Sequence, residues 1–256
     1  MKVVICGLWA NFAGTHPKAM KNPRPDPALT TGGTLGNAVN DSIGSADSDV
    51  SDEPTWVTNF VPESPYSQCG NFDGSSDYIG LTNANDINGV DTYTKSISLW
   101  FKADIIDTDG HGSIIWEEGG GTNWLGIYVY EDSGTDKLYG VVGESAGSFI
   151  DYVSTPVSTN TLYHVGFTMS CGDGELHLYL NGNEVDNRTG GLNIGGKLAA
   201  HTGSPGIGGP DGDIRNHNGD VLSGYFDGKI SDIVYYAEQP VLNGDNFRSI
   251  YIKGTQ

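Results

Sequence analysis

Leu162-Tyr-His-Val-Gly-Phe-Thr-Met-Ser-Cys-Gly-Asp-Gly-Glu-Leu-His-Leu-Tyr-Leu-Asn-Gly-Asn183 decides the fold. In its first half, Tyr163, Val165, Phe167 and Met169 fall on one side of an extended chain. In its second half, Leu176, Leu178 and Leu180 alternate with Glu175, His177 and Tyr179. A period of two marks strands whose faces meet different surroundings. Cys171-Gly-Asp-Gly174 between the two runs is a turn signal, and Asn181-Gly-Asn183 before Glu184-Val185 reads as a hairpin.

The same pattern extends upstream. Ile97, Leu99 and Phe101 share one face of Ser96–Lys102. Leu125, Ile127 and Val129 alternate against Trp124, Tyr128 and Tyr130, and Ser133-Gly134 precedes another strand at Leu138–Val142. A single short helix is expected over Leu242–Tyr251, with Leu242, Phe247, Ile250 and Tyr251 facing inward. Glycine supplies 38 of 256 residues, about twice its usual share of about 7%. Glycine without helical periodicity fits many short strands and tight turns. The expected class is all-β: a two-sheet antiparallel jelly-roll sandwich with an extended N-terminal arm and one C-terminal helix.

Residues 1–68 differ from residues 69–256. They hold Pro17, Pro23, Pro25, Pro27, Pro54, Pro62 and Pro65, most of the chain's 11 prolines, and the acidic, serine-rich Asp41–Glu53. Such a segment cannot bury enough apolar surface to fold alone. Ordering it costs roughly 1–2 kcal/mol of backbone entropy per residue. It is therefore expected to lie on something. Trp56, Phe60 and Tyr66 are close enough in sequence to dock on the sandwich. Val3–Trp9 is expected to reach a neighbouring subunit. Val3–Ala10 after Met1-Lys2 also has the look of a weak signal peptide, but the run is short, and docking is the preferred reading.

The chain carries 13 basic against 32 acidic residues, a formal charge of −19. That surface repels phosphate backbones, so nucleic-acid binding is excluded as a function class. No stretch is long and apolar enough for a membrane-spanning helix. Cys6, Cys69 and Cys171 match no zinc spacing, and whether Cys69 and Cys171 pair stays open.

Four stretches, in order, resemble the laminin G-like jelly rolls of the concanavalin A-like group, over about residues 70–253. They are Phe72-Asp-Gly-Ser-Ser-Asp-Tyr-Ile79, Ser96–Lys102, the 162–183 pair with its Asn-Gly turn, and Phe226–Tyr236 followed by Leu242–Tyr251. The resemblance implies two curved antiparallel sheets packed face to face. It also implies what to look for at the sites. The laminarinase-like members carry Glu-x-Asp-x-x-Glu, whose glutamates act as nucleophile and acid. That spacing is absent here. Glu117-Glu118 are adjacent, so on a strand they point to opposite faces. No catalytic residue is assigned, and no enzyme activity is expected.

In pentraxin-like members a calcium ion joins two loops at the sheet rim. The resemblance puts these loops at Gly119–Trp124 and Gly209–Ile214, with Asn123, Asp211 and Asp213 as ligands. Thr122 stands where pentraxins have an aspartate, and a plain acidic turn is the alternative. Asp107–Glu118 matches part of an EF-hand pattern, but His111 at its fifth position does not fit, and a hairpin loop is the reading. Trp124, Tyr128 and Tyr130 share one face, with Gly126 leaving space between them. They are the candidate carbohydrate-binding residues, the alternative being that they pack in the core or under a loop.

Two function classes follow. The first is a non-enzymatic structural or adhesive surface protein. It is a subunit of a larger assembly, such as a virion decoration, appendage or extracellular filament, whose partners are its own copies or other subunits. The alternative is a calcium-assisted glycan-binding lectin module for attachment. Both place the protein outside the cell or on a virion surface.

Overall fold

The computed structural model describes residues 2–5, 48–49, 54–58, 68–81, 83, 87–106, 110–144, 148–237 and 243–254. Fifteen strands are described: β1 (Lys2–Ile5), β2 (Ser48–Asp49), β3 (Thr55–Thr58), β4 (Gln68–Asp73), β5 (Ile79–Leu81), β6 (Thr94–Ile105), β7 (Ser113–Gly119), β8 (Asn123–Asp132), β9 (Thr135–Glu144), β10 (Phe149–Pro156), β11 (Tyr163–Ser170), β12 (Glu175–Leu180), β13 (Asn183–Arg188), β14 (Gly206–Ile207) and β15 (Asp227–Ala237). One helix, α1 (Gly244–Gly254), follows. The first sheet runs β13-β12-β11-β6-β15-β4-β3, with β1 also on β15, and the second runs β10-β9-β8-β7-β14-β5-β2. The pairings are antiparallel throughout. This is the expected jelly-roll sandwich.

The founding stretch forms β11, β12 and the start of β13, with Val165 opposite Leu180 and Phe167 opposite Leu178. Asn181 and Gly182 both take positive φ, 52° and 77°, the geometry of a two-residue hairpin turn. Ser133 and Gly134 do the same between β8 and β9, at 55° and 85°. The inner faces interdigitate as one core that includes Ile97, Leu99, Phe101, Leu176, Leu178 and Ile230. Leu125, Ile127 and Val129 meet them from the second sheet.

Helix α1 covers the outer face of the first sheet. Phe247 is fully buried there, and a Cβ on Gly166 would stand 2.4 Å from its ring. Tyr251 stacks on Trp100 with centroids 5.7 Å apart. Leu242 lies outside the described residues.

The N-terminal segment departs from expectation where it is described. Lys2–Ile5 pairs with Ile233–Tyr236 of the chain's own β15, and the rest of the stretch expected to reach a neighbour, Cys6–Trp9, lies outside the described residues. β4 already occupies Asp227–Ile230 of the same strand, so β1 and β4 share one edge of β15, end to end. The β-branched run Val3-Val4-Ile5 has the residue types that strands favour. β2 extends the second sheet beside β5, and β3 pairs with β4. The change in composition at residue 69 falls inside β4. Phe60 and Tyr66 lie outside the described residues. Cys69 and Cys171 are buried free thiols.

Candidate functional site

Glu117 and Glu118 show how the second sheet separates its faces. Glu118 points inward, where its Oε1 accepts from Lys95 Nζ at 2.6 Å and its Oε2 accepts from the Tyr235 hydroxyl at 3.2 Å. Glu117 points outward. Its Oε1 accepts the backbone N–H of Asp211 and, at 2.6 Å, that of Gly212. Burial, reinforced by the neighbouring Asp211 and Asp213 charges, pushes the Glu117 carboxyl up to about 7. β6 belongs to the first sheet and β7 to the second, so the connection between them is not a hairpin; Asp107–Asp109 lie outside the described residues.

The stretch held by Glu117 continues into a small hairpin. Leu222 N–H bonds Ile214 carbonyl at 2.9 Å, and Asn216 N–H bonds Asp220 carbonyl at 2.8 Å. This hairpin lies on the outer face of the second sheet, where Ile214 and Leu222 close a second apolar cluster with Ile114, Trp124, Tyr128, Tyr139 and Val141. Trp124 and Tyr128 are therefore fully buried, and Tyr130 is half-buried. The space over Gly126 is filled by Ile214, whose Cδ1 would stand 2.5 Å from a Cβ there. The glycine makes room for the hairpin, not for a ligand, and the three candidate rings are not an open face.

An open edge survives beside the hairpin. His217 stacks on Tyr139 at 4.2 Å between centroids and meets Tyr152 at 5.4 Å and Tyr130 at 5.3 Å. Tyr139 in turn stacks on Tyr128 at 5.1 Å. The His217 N–H donates to the Tyr128 hydroxyl at 2.9 Å, and its Nδ1 lies 3.0 Å from the same oxygen. The Tyr139 hydroxyl donates to Asp132 at 3.1 Å. The outermost ring, Tyr152, is 42% exposed, and Phe149 on the same strand is 45% exposed. Burial lowers the His217 pKa and pushes the Tyr139 phenol well above its ordinary value, with Asp132 adding to it. Both shifts favour the uncharged forms of His217 and Tyr139.

Reading the residues in order missed Tyr152 and His217. β10 hides because Asp151 occupies an inward position, and His217 sits in an Asn-His-Asn-Gly turn. A signal was present in Ile150, Tyr152 and Ser154, which alternate on the side that faces Tyr139.

The two loops assigned to calcium do meet: a Cβ on Gly212 would stand 2.1 Å from the Gly119 carbonyl oxygen. Asn123 is half-buried at the head of β8, and Asp211 and Asp213 are exposed. Asp211 lies over Gly80, with its Oδ2 3.0 Å from where a Cβ would be. The donors are all oxygen, which suits a hard cation. Yet among the described residues no three His, Cys, Asp or Glu side chains converge as a metal-holding group. Glu117 Oε2 is buried there without a hydrogen-bond partner. No described helix is long and apolar enough to cross a membrane.

No curated protein matches this sequence. Among solved structures, one of botulinum neurotoxin type C, described as entering cells through interaction with two ganglioside molecules, is similar with a TM-score of 0.57 at 13% identity, over 82% of this chain and 48% of that one. The chain thus spans about half the length of that toxin structure. Domain 4 of the arabinanase AbnA from Geobacillus stearothermophilus, in complex with arabinotriose, is similar with a TM-score of 0.53 at 15% identity, over 81% of this chain and 93% of that one. The sialidase module CBM40 of Ruminococcus gnavus, bound to α2,3 sialyllactose, gives a TM-score of 0.53 at 14% identity, over 72% and 97%. At these identities the likeness is one of fold. The family description "concanavalin A-like lectin/glucanases superfamily" matches residues 73–239, and with the two-sheet jelly roll in place this chain belongs to that superfamily.

Proposed function

We propose that this chain is a non-catalytic glycan-binding module, working outside the cell or on a virion surface, and that sugar rests on the rim formed by Tyr130, Tyr152 and His217. The observation that carries this reading is one exposed ring, Tyr152, backed by rings already locked in place. Sugar rings present apolar C–H faces that stack on aromatic rings, while their hydroxyls need polar partners at the edge. Tyr128, Tyr139 and His217 are fixed to one another and to Asp132, so little rotamer freedom remains to be lost on binding. The named ligands of the similar structures, arabinotriose, sialyllactose and gangliosides, are saccharides or carry them. The absence of a Glu-x-Asp-x-x-Glu run supports the non-catalytic part of the reading.

The test is a glycan array read with the intact chain and with Tyr152→Ala. The reading expects at least one saccharide to bind, and Tyr152→Ala to weaken it by roughly tenfold or more, about 1.4 kcal/mol, without changing Tm by more than a few degrees. Equal binding by the variant removes the rim from the account.

Calcium at Asn123, Asp211 and Asp213 is a separate proposal. It is supported by the contact of the two loops and by the unpartnered Glu117 Oε2. A rise in Tm with millimolar calcium, lost in Asp211→Ala with Asp213→Ala, is the expected result; no shift would retire it. The role of repeated assembly subunit leaned on the N-terminal segment reaching a neighbour. Its described part, β1, pairs within the chain, which favours the module reading.

A further inference from the structure

We infer, resting on the glycan reading of the rim, that the platform selects neutral saccharides over sialylated or otherwise carboxylated ones. Recognising a sugar carboxylate calls for an available guanidinium, ammonium or set of N–H donors. Among the described residues each cation near this rim already has a partner, although the Nε atoms of Arg188 and Arg215 are buried without one. Lys137 lies 2.6 Å from Asp132, and Arg215 Nη1 turns back to the Gly219 carbonyl at 2.8 Å. Arg188, beyond Tyr152, pairs with Asp151 at 2.8 Å.

The charge that faces the rim is net negative. Asp132, Lys137 and Asp220 are the charged groups that act on His217, so carboxylates outnumber the cation two to one there. Asp220 is exposed on the covering hairpin. Hydrogen bonds from Lys137, Tyr139 and Ser133 hold the Asp132 carboxyl below its usual range, so it stays ionised. The chain adds a formal charge of −19, which a ligand feels within a Debye length of about 8 Å at physiological salt. A neutral sugar escapes this repulsion and offers hydroxyl protons that Asp220 and the tyrosine oxygens accept.

The experiment compares matched glycans, the same uncharged cores with and without a terminal α2,3-linked sialic acid, by array and by calorimetry at 50 and 500 mM NaCl. The expected result is a preference of tenfold or more for the uncharged member at low salt, narrowing at high salt, and a smaller gap in Asp220→Asn. Tighter or equal binding of the sialylated members, or a preference insensitive to salt, overturns the inference while leaving the glycan reading intact. Failure of both members of every pair to bind removes the glycan reading and this inference together.

Discussion

Lys95 and Glu118 are the clearest case of one residue answering for another. Their side chains are 1% and 0% exposed, and they span the two sheets with the Tyr235 hydroxyl and the Ile87 carbonyl completing the set. Removing one partner leaves a buried charge uncompensated, so Lys95→Met alone is expected to cost about 3–5 kcal/mol. Lys95→Met with Glu118→Leu should recover most of that. Urea unfolding of both variants checks it, and additive losses would contradict the pairing. His164 gives a pH signature. Burial lowers its pKa to about 3 beneath α1, with Nε2 2.8 Å from the Ser98 hydroxyl. An unfolded histidine titrates near 6.5. The folded value is depressed, so this group's contribution is complete above about 6.5 and is lost as pH falls toward 3. The loss is on the order of 3 kcal/mol by about pH 4.5. Tm measured from pH 7 to 4.5 should fall less in His164→Gln than in the parent; parallel curves would contradict the assignment.

At the scale of elements, strands were legible wherever both faces kept their chemistry. Ile97, Leu99 and Phe101, and Leu125, Ile127 and Val129, give their inward sides directly, and the Asn181-Gly182 turn sets its own hairpin. β10 was not legible. Its inward Asp151 contradicts the pattern, and only the fold supplies the Arg188 and Asn193 partners that make it tolerable. Nor was β7 fully legible, because its register shifts between Ile114 and Trp116 and sends both Ile115 and Trp116 into the sandwich core. The candidate rings were rightly placed on one face, but the cover over them was invisible. Ile214 and the Val221-Leu222 pair are the few apolar residues of a polar stretch, and nothing local says that Ile214 and Leu222 meet Trp124. Helix α1 depends on a similar long-range fit. Phe247 fills the space that Gly166 leaves, so Phe247→Ala is expected to cost about 3 kcal/mol. Loss of helical circular dichroism together with a lower unfolding midpoint would show it; an unchanged midpoint would mean that α1 adds nothing to the sandwich.

At the scale of the whole molecule, the described residues form a frame around the aromatic rim. Two sheets share a large apolar core, the outer face of one is covered by α1, and much of the other's is covered by the 211–224 hairpin. Among the described residues, the rim at Tyr130, Tyr152 and His217 stays open beside that hairpin, on a chain whose formal charge is −19. Fold and family are shared with proteins of many activities, so they do not choose among functions; the proposal rests on the rim. The most direct measurement is an aromatic ¹H–¹³C NMR titration of the intact chain with the best-binding saccharide from the array. The account predicts shifts concentrated on the Tyr130, Tyr152 and His217 rings, with the buried Trp124 ring nearly unmoved. Shifts centred instead on another aromatic pair, Tyr78 and Tyr225 with centroids 6.4 Å apart, with the rim silent, would contradict it.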